Sequence, residues 1–204
     1  MSEPDIVKYC NLMEEVKRRI SVIDFFFSRA AIPRPPTIES IGLQFRKILE
    51  LVAFGSLVAN RDAYSVVYSG FTKDWNAGEL LKKLERVNPD FYPKPIVELP
   101  SGKEGIKSRF VLRGPDYLSK QDFVEVYGRC GVLMHAANPF GSGIDYSYYE
   151  QKIPIWVAQV VNLLNSHEIR LINEPGLWLI HMKEERDDKV HNYIFKPLLP
   201  SGGT

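Results

Sequence analysis

Apolar residues recur in alternating steps of three and four along most of the chain, the period of a helix with one buried face. Ile6, Tyr9, Met13, Val16, Ile20, Ile23 and Phe27 mark a first helix over about 5–28. Pro33-Arg-Pro-Pro36 breaks it. Thr37 is placed to cap a second helix with Glu39 in its first turn, and Ile41, Phe45, Ile48, Leu49 and Val52 form its stripe. Gln44, Arg46, Lys47 and Glu50 occupy its other faces. A weaker helical pattern covers 62–68. A stronger one covers 72–87, anchored by Trp75, Leu80, Leu81 and Leu84 and ended by Asn88-Pro89. The stretch after Tyr92 up to Pro115 is irregular, with short strands at about 96–99 and 106–112, and reads as a lid or an insertion.

The clearest helix is Ser119 to Ala137. Ser119 and Asp122 have the spacing of a capping box, and Phe123, Val126, Cys130, Leu133 and Ala137 repeat along one face, widened by Tyr127 and Met134. Asn138-Pro139 stops it. A further helix covers about 148–165 with Ile153, Trp156, Val157, Val160, Val161 and Leu164 apolar, and Pro154 in its first turn or at a kink.

After residue 167 the pattern changes. Segments 168–172, 177–183 and 190–196 are rich in β-branched and aromatic residues and are separated by turn sequences, which predicts a three-stranded antiparallel meander. Three strands need a surface to cover them. The expected architecture is therefore mainly α. An up-and-down helical bundle spans 1–166, with a loop or short-strand insertion at about 92–116. A small β-meander, 167–199, packs on it, and 200–204 form a flexible tail.

Composition adds limits rather than direction. The chain has 204 residues, 45% hydrophobic and 25% charged, enough for one well-filled core. A net charge of +1 gives no global field for nucleic acid or an anionic membrane, though a local basic site is compatible with it. Cys10 and Cys130 both fall in apolar-patterned helices, as buried reduced thiols do. The first residues lack a basic start followed by an apolar run, and no apolar stretch reaches about 18 residues, so the expected location is the cytoplasm.

Candidate chemistry concentrates on Arg129 and His135. On an ideal helix they stand about 120° apart and border one groove. A helix extending to Ala137 would set His135 among unsatisfied carbonyls, where an imidazolium is favoured. The planar fork of Arg129 suits a phosphate. Together they can bind a phosphate, move a proton and stabilise developing negative charge. Asn138 adds an amide, and Glu125, one turn before Arg129, can pair with it. The plain alternative is an ion pair at Arg129 and a helix-capping role for His135.

The spacing of Arg129 and His135 resembles the R-x(4–6)-H signature of the HEPN superfamily, the higher eukaryotes and prokaryotes nucleotide-binding domains. The string from Tyr127 to Phe140 is similar to the long bacterial members, and Leu43 to Glu50 to their second helix. The resemblance spans roughly residues 5–165. It implies a bundle that dimerises through the motif helices and cleaves RNA without metal or other cofactor at a composite site. In that scheme His135 is general acid or base, Arg129 steadies the phosphate, and the 2′-hydroxyl attacks to leave a cyclic phosphate. Asn138, Arg46, Lys47 and Glu50 are the expected substrate-binding residues. Such proteins serve as toxins or in phage defence, often with a partner protein. Active members carry a polar residue directly after the arginine. Cys130 stands there, which keeps open a non-catalytic module that binds nucleotide, RNA or protein.

Other residues carry less. His167, His181 and His191 lack ligand spacing, so no metal site is expected. Tyr146, Tyr148 and Tyr149 can stack on bases or simply pack, and Lys17-Arg-Arg19 reads chiefly as a solvated face. No glycine-rich phosphate loop with a following lysine is present.

Overall fold

The computed structural model describes residues 2–28, 34–70, 76–172, 176–184 and 186–196. Among the described residues, six helices and five strands follow one another as α1 (Glu3–Phe27), α2 (Arg34–Ala59), α3 (Arg61–Val67), α4 (Ala77–Val87), β1 (Lys94–Lys103), β2 (Ile106–Leu112), α5 (Lys120–Val132), α6 (Tyr146–Leu164), β3 (Ser166–Ile169), β4 (Leu177–His181) and β5 (His191–Phe195). The mainly α expectation holds. Trp75 and residues 200–204 lie outside the described residues.

The helix at the centre is α2, not the motif helix α5. It packs against α1, α3, α4, α5 and α6, and twelve of its residues are buried, from Thr37 to Ala59. Small residues let neighbours approach. A Cβ on Gly55 would come within 3.1 Å of the Tyr9 ring and 3.2 Å of Met13, so α1 lies close along α2. Thr37 is buried inside the first turns of α2 rather than standing at its cap. Glu39 accepts a hydrogen bond from the Tyr146 hydroxyl at 2.6 Å. In α6, Pro154 sits inside the helix, beyond its first turn.

The predicted three-stranded meander is corrected to a five-stranded antiparallel sheet in the order β2-β1-β3-β4-β5. Strands β3, β4 and β5 do form a meander, with His167 opposite Ile180 and Ile180 opposite Asn192. The segment read as a lid is a hairpin, β1–β2, that joins this meander through Lys94 opposite Glu168 and Pro95 opposite His167. Pro95 is tolerated in β1 because its pairing there uses its carbonyl, which accepts from the Arg113 amide at 2.9 Å. Ile169, Trp178, Ile180 and Met182 carry the inner face of the sheet into the same core as the helices.

A buried polar contact locks the sheet to α1. His167 Nδ1 lies 2.7 Å from the Leu164 carbonyl, and Nε2 lies 2.7 Å from the Tyr9 hydroxyl. A carbonyl only accepts, so Nδ1 carries the proton and Nε2 accepts from Tyr9. Burial pushes the ring's pKa down to about 4, partly offset by the Leu164 bond.

Candidate functional site

Helix α5 starts where its sequence says it should. The Ser119 side chain accepts from the Asp122 amide and the Asp122 carboxylate accepts from the Ser119 amide, a complete capping box. It ends five residues early, at Val132 rather than Ala137. Two glycines, Gly128 and Gly131, weaken its last turn and a half. The chain leaves by tight turns, Met134 N–H to Gly131 O at 3.1 Å and His135 N–H to Val132 O at 3.4 Å. His135 therefore lies just past the helix, not in its last turn, and Ala137 is exposed rather than part of the buried stripe. Leu133 anchors this exit. It fills the recess left by Gly42 of α2, where a Cβ would collide with its side chain.

Inward, α5 is fastened to α2 by Tyr127. The Arg46 guanidinium lies 3.9 Å from the Tyr127 ring centroid and donates to its hydroxyl at 2.7 Å and its carbonyl at 3.3 Å. Arg46 also pairs with Glu50 at 3.4 Å, and the Tyr127 hydroxyl donates to Glu50 at 3.2 Å. Burial raises the pKa of that phenol, opposed by its bond near Ala77 and by Arg46. Arg46 and Glu50 thus reach the motif helix, but as a fastening spent on Tyr127. Lys47 is exposed on α2. The sequence signal for this cluster was available in Tyr127 itself, since a tyrosine on a buried stripe requires a partner for its hydroxyl.

Outward, Arg129 presents a side chain that is 52% exposed. It lies 3.7 Å from Glu125 and 5.3 Å from the centroid of the half-buried Tyr148 ring. Tyr149 fixes the backbone below it, donating to the Arg129 carbonyl at 3.0 Å. Two positions separate Arg129 from Tyr127, about 200° around the helix, so Arg129 and the Arg46 cluster stand on opposite sides of α5. Cys130 is a free thiol facing the core, and burial pushes its pKa up to about 12 against the pull of Arg46.

His135 borders an open cavity of about 350 Å³ together with Val132, Asn138, Gly141, Gly143 and Ile144. Its wall is shaped by a turn in which Asn138 Oδ1 accepts from the Phe140 amide at 3.0 Å and Asn138 O from the Gly141 amide at 2.9 Å. Gly143, at φ 76°, continues the turn in the left-handed region. His135 and Asn138 share this cavity; Arg129 lies outside its lining, three residues before Val132 and six before His135.

Tyr146 and Tyr149 are engaged by Glu39 and Arg129, leaving Tyr148 as the aromatic beside the arginine. The basic run is likewise paired: Lys17 with Glu14 and the Asp188 carbonyl, Arg18 and Arg19 with Glu15, and Arg19 also with Gln44. Among the described residues no three His, Cys, Asp or Glu side chains are grouped to hold a metal ion. No described helix is long and apolar enough to cross a membrane. No family model, curated protein or solved structure matches this chain.

Proposed function

We propose that the chain is an RNA-directed protein of HEPN type that works as a homodimer through the outward face of α5, cleaving RNA without metal at a site completed by both copies. The observation that carries this reading is the composition of that face. Val124, Gly128 and Val132, each four residues apart, are all exposed, and Arg129 stands beside them with His135 at the end of the strip. Nothing lies within 4 Å of a Cβ placed on Gly128. A small residue between two valines lets a second helix approach closely, and two-fold pairing would bring two arginines and two histidines to one seam.

In such a seam Arg129 holds the scissile phosphate as a fork and stabilises its developing charge. One His135 takes the proton of the ribose 2′-hydroxyl, whose oxygen attacks phosphorus. His135 of the second copy gives a proton to the departing 5′-oxygen, leaving a cyclic phosphate end and a 5′-hydroxyl end.

The second reading is a non-catalytic module that binds nucleotide, RNA or a partner protein on the same face. It is favoured by Cys130, which is wholly in the core and offers no polar group beside Arg129, and by Arg129 being engaged by Glu125 and Tyr148. The two separate in one assay: structured and single-stranded RNA incubated with a chelator and wild type, Arg129→Ala or His135→Ala. Cleavage is expected from wild type, with losses on the order of a hundredfold or more in either variant. RNA left equally intact by all three sinks the nuclease and leaves the binder.

A further inference from the structure

At the other end of α5, about 20 Å from its exit toward His135, a groove of about 580 Å³ opens between the helix start and the β1–β2 hairpin. Three cations from three separate segments line it: Lys94 at the start of β1, Arg113 just after β2, and Lys120 at the start of α5. Each is paired with a carboxylate, Asp90, Asp116 and Glu85 respectively, so the groove is balanced in charge until those pairs open. Half-buried Tyr117 and the exposed ring of Pro89 supply apolar surface.

The walls are fixed before any ligand arrives. Tyr92 donates to the Leu118 carbonyl at 2.9 Å, tying the loop after α4 to the approach of α5. Arg113 N–H donates to Pro95 O at 2.9 Å, tying the two hairpin strands at the rim. The cations rest on carboxylates that are themselves more than half exposed: Lys94 on Asp90 at 3.0 Å, Arg113 on Asp116 at 3.1 Å, and Lys120 on Glu85. Exposed pairs of this kind contribute little. An incoming anion that binds two or three of the cations together replaces them at little cost, with stronger charge-assisted bonds.

We infer that this groove is a binding site for a phosphate monoester carried on a planar ring. The ester's oxygens take up the cations freed from those pairs, and the ring lies against Tyr117 and Pro89. The size falls in the range of small-molecule sites, about 300–1,000 Å³. The chemistry is shared by a free nucleoside monophosphate and by the 5′-phosphate end of an RNA strand. The inference stands apart from the outward face of α5 and does not depend on what that face does.

Calorimetric titration of the full chain tests it with AMP, adenosine, and one short RNA bearing either a 5′-phosphate or a 5′-hydroxyl. Saturable binding is expected for AMP but not for adenosine, and the 5′-phosphorylated RNA should bind more tightly than the 5′-hydroxyl strand, which has only the outward face of α5 to bind; the tighter of AMP and the phosphorylated strand identifies the source. Lys94→Gln with Lys120→Gln should weaken it at least about tenfold, whereas Lys82→Gln, an exposed lysine of α4 paired with Glu79, should not. Folding of the double variant is checked by its thermal midpoint. Absence of saturable binding by either phosphorylated ligand overturns the assignment, as does equal affinity in a folded double variant.

Discussion

On the inward face of α5, Phe123, Val126, Tyr127 and Cys130 are buried, whereas on the outward face Val124, Glu125, Gly128, Arg129 and Val132 meet solvent. The inward polar groups are spent. The hydroxyl of Tyr127 both accepts from Arg46 and donates to Glu50. The outward arginine side chain has a 3.7 Å contact with an exposed glutamate and lies over the Tyr148 ring, 5.3 Å from its centroid. Adjacent residues such as Arg129 and Cys130 are turned about 100° apart, enough to place one in water and the other in the core. A motif read along the sequence mixes these two populations. The difference between a structural and a functional polar residue lies in how completely its partners are satisfied, and that becomes visible only in three dimensions.

The sharpest way to break the comparison is a pair of neighbouring truncations. Phe123 is fully buried against Tyr92 and Tyr127, so Phe123→Ala should cost about 3–5 kcal/mol of stability. Val124, 45% exposed, should lose no more than about 0.5 kcal/mol on the same change. Urea midpoints of the two variants measure both. Equal losses would mean that the two faces of α5 are not distinct.

A second contrast sets a buried polar group against pH. His167 is held neutral with its pKa at about 4, below the ordinary 6.5, because burial penalises the charged ring. Above 6.5 the folded and unfolded chains are both neutral at this site, and its stability is fully present. As pH falls from 6.5 toward 4 the unfolded chain takes up a proton that the folded chain refuses, and stability is lost. The full loss is about 3 kcal/mol. Urea titrations across that window should show the slope in wild type and a shallower one in His167→Gln, whose amide can still donate to Leu164 and accept from Tyr9. An unchanged slope in the variant would remove His167 as its source.

The helical stripes were legible because each is set by local spacing. The recurrence from Ile6 to Phe27 gave α1 to within two residues at either end, and the Ser119–Asp122 box gave the start of α5. What failed was set by distant partners. The apolar pattern runs on through Leu133 and Met134, but Leu133 is buried because Gly42, some ninety positions earlier, leaves room for it, and the chain leaves the helix there. Strand β1 was shortened by its own prolines, while its extension depends on β2 and on β3 far along the chain. The spacing of Arg129 and His135 places them about 120° apart on one helix, bordering one groove. Their separation by the helix end was not visible, and neither was the commitment of Arg46 and Glu50 to Tyr127.

The smallest effect on stability belongs to the change that most directly tests the outward face. Val132 is half exposed and makes part of the wall beside His135. Val132→Glu should alter folding by no more than about 0.5 kcal/mol, since it removes little buried surface. In a two-fold seam, however, each copy would place the new carboxylate near its equivalent. Like charges pushed together as water is excluded should weaken self-association at least about tenfold. Sedimentation or light scattering over a concentration series reads this directly, with Val124→Ala as the milder probe of the same strip. A wild-type chain that stays monomeric at the highest concentrations would remove the shared site while leaving the groove at the opposite end of α5 untouched. A dimer that survives Val132→Glu unchanged would move the seam elsewhere, and Arg129 would then face only what binds from solution.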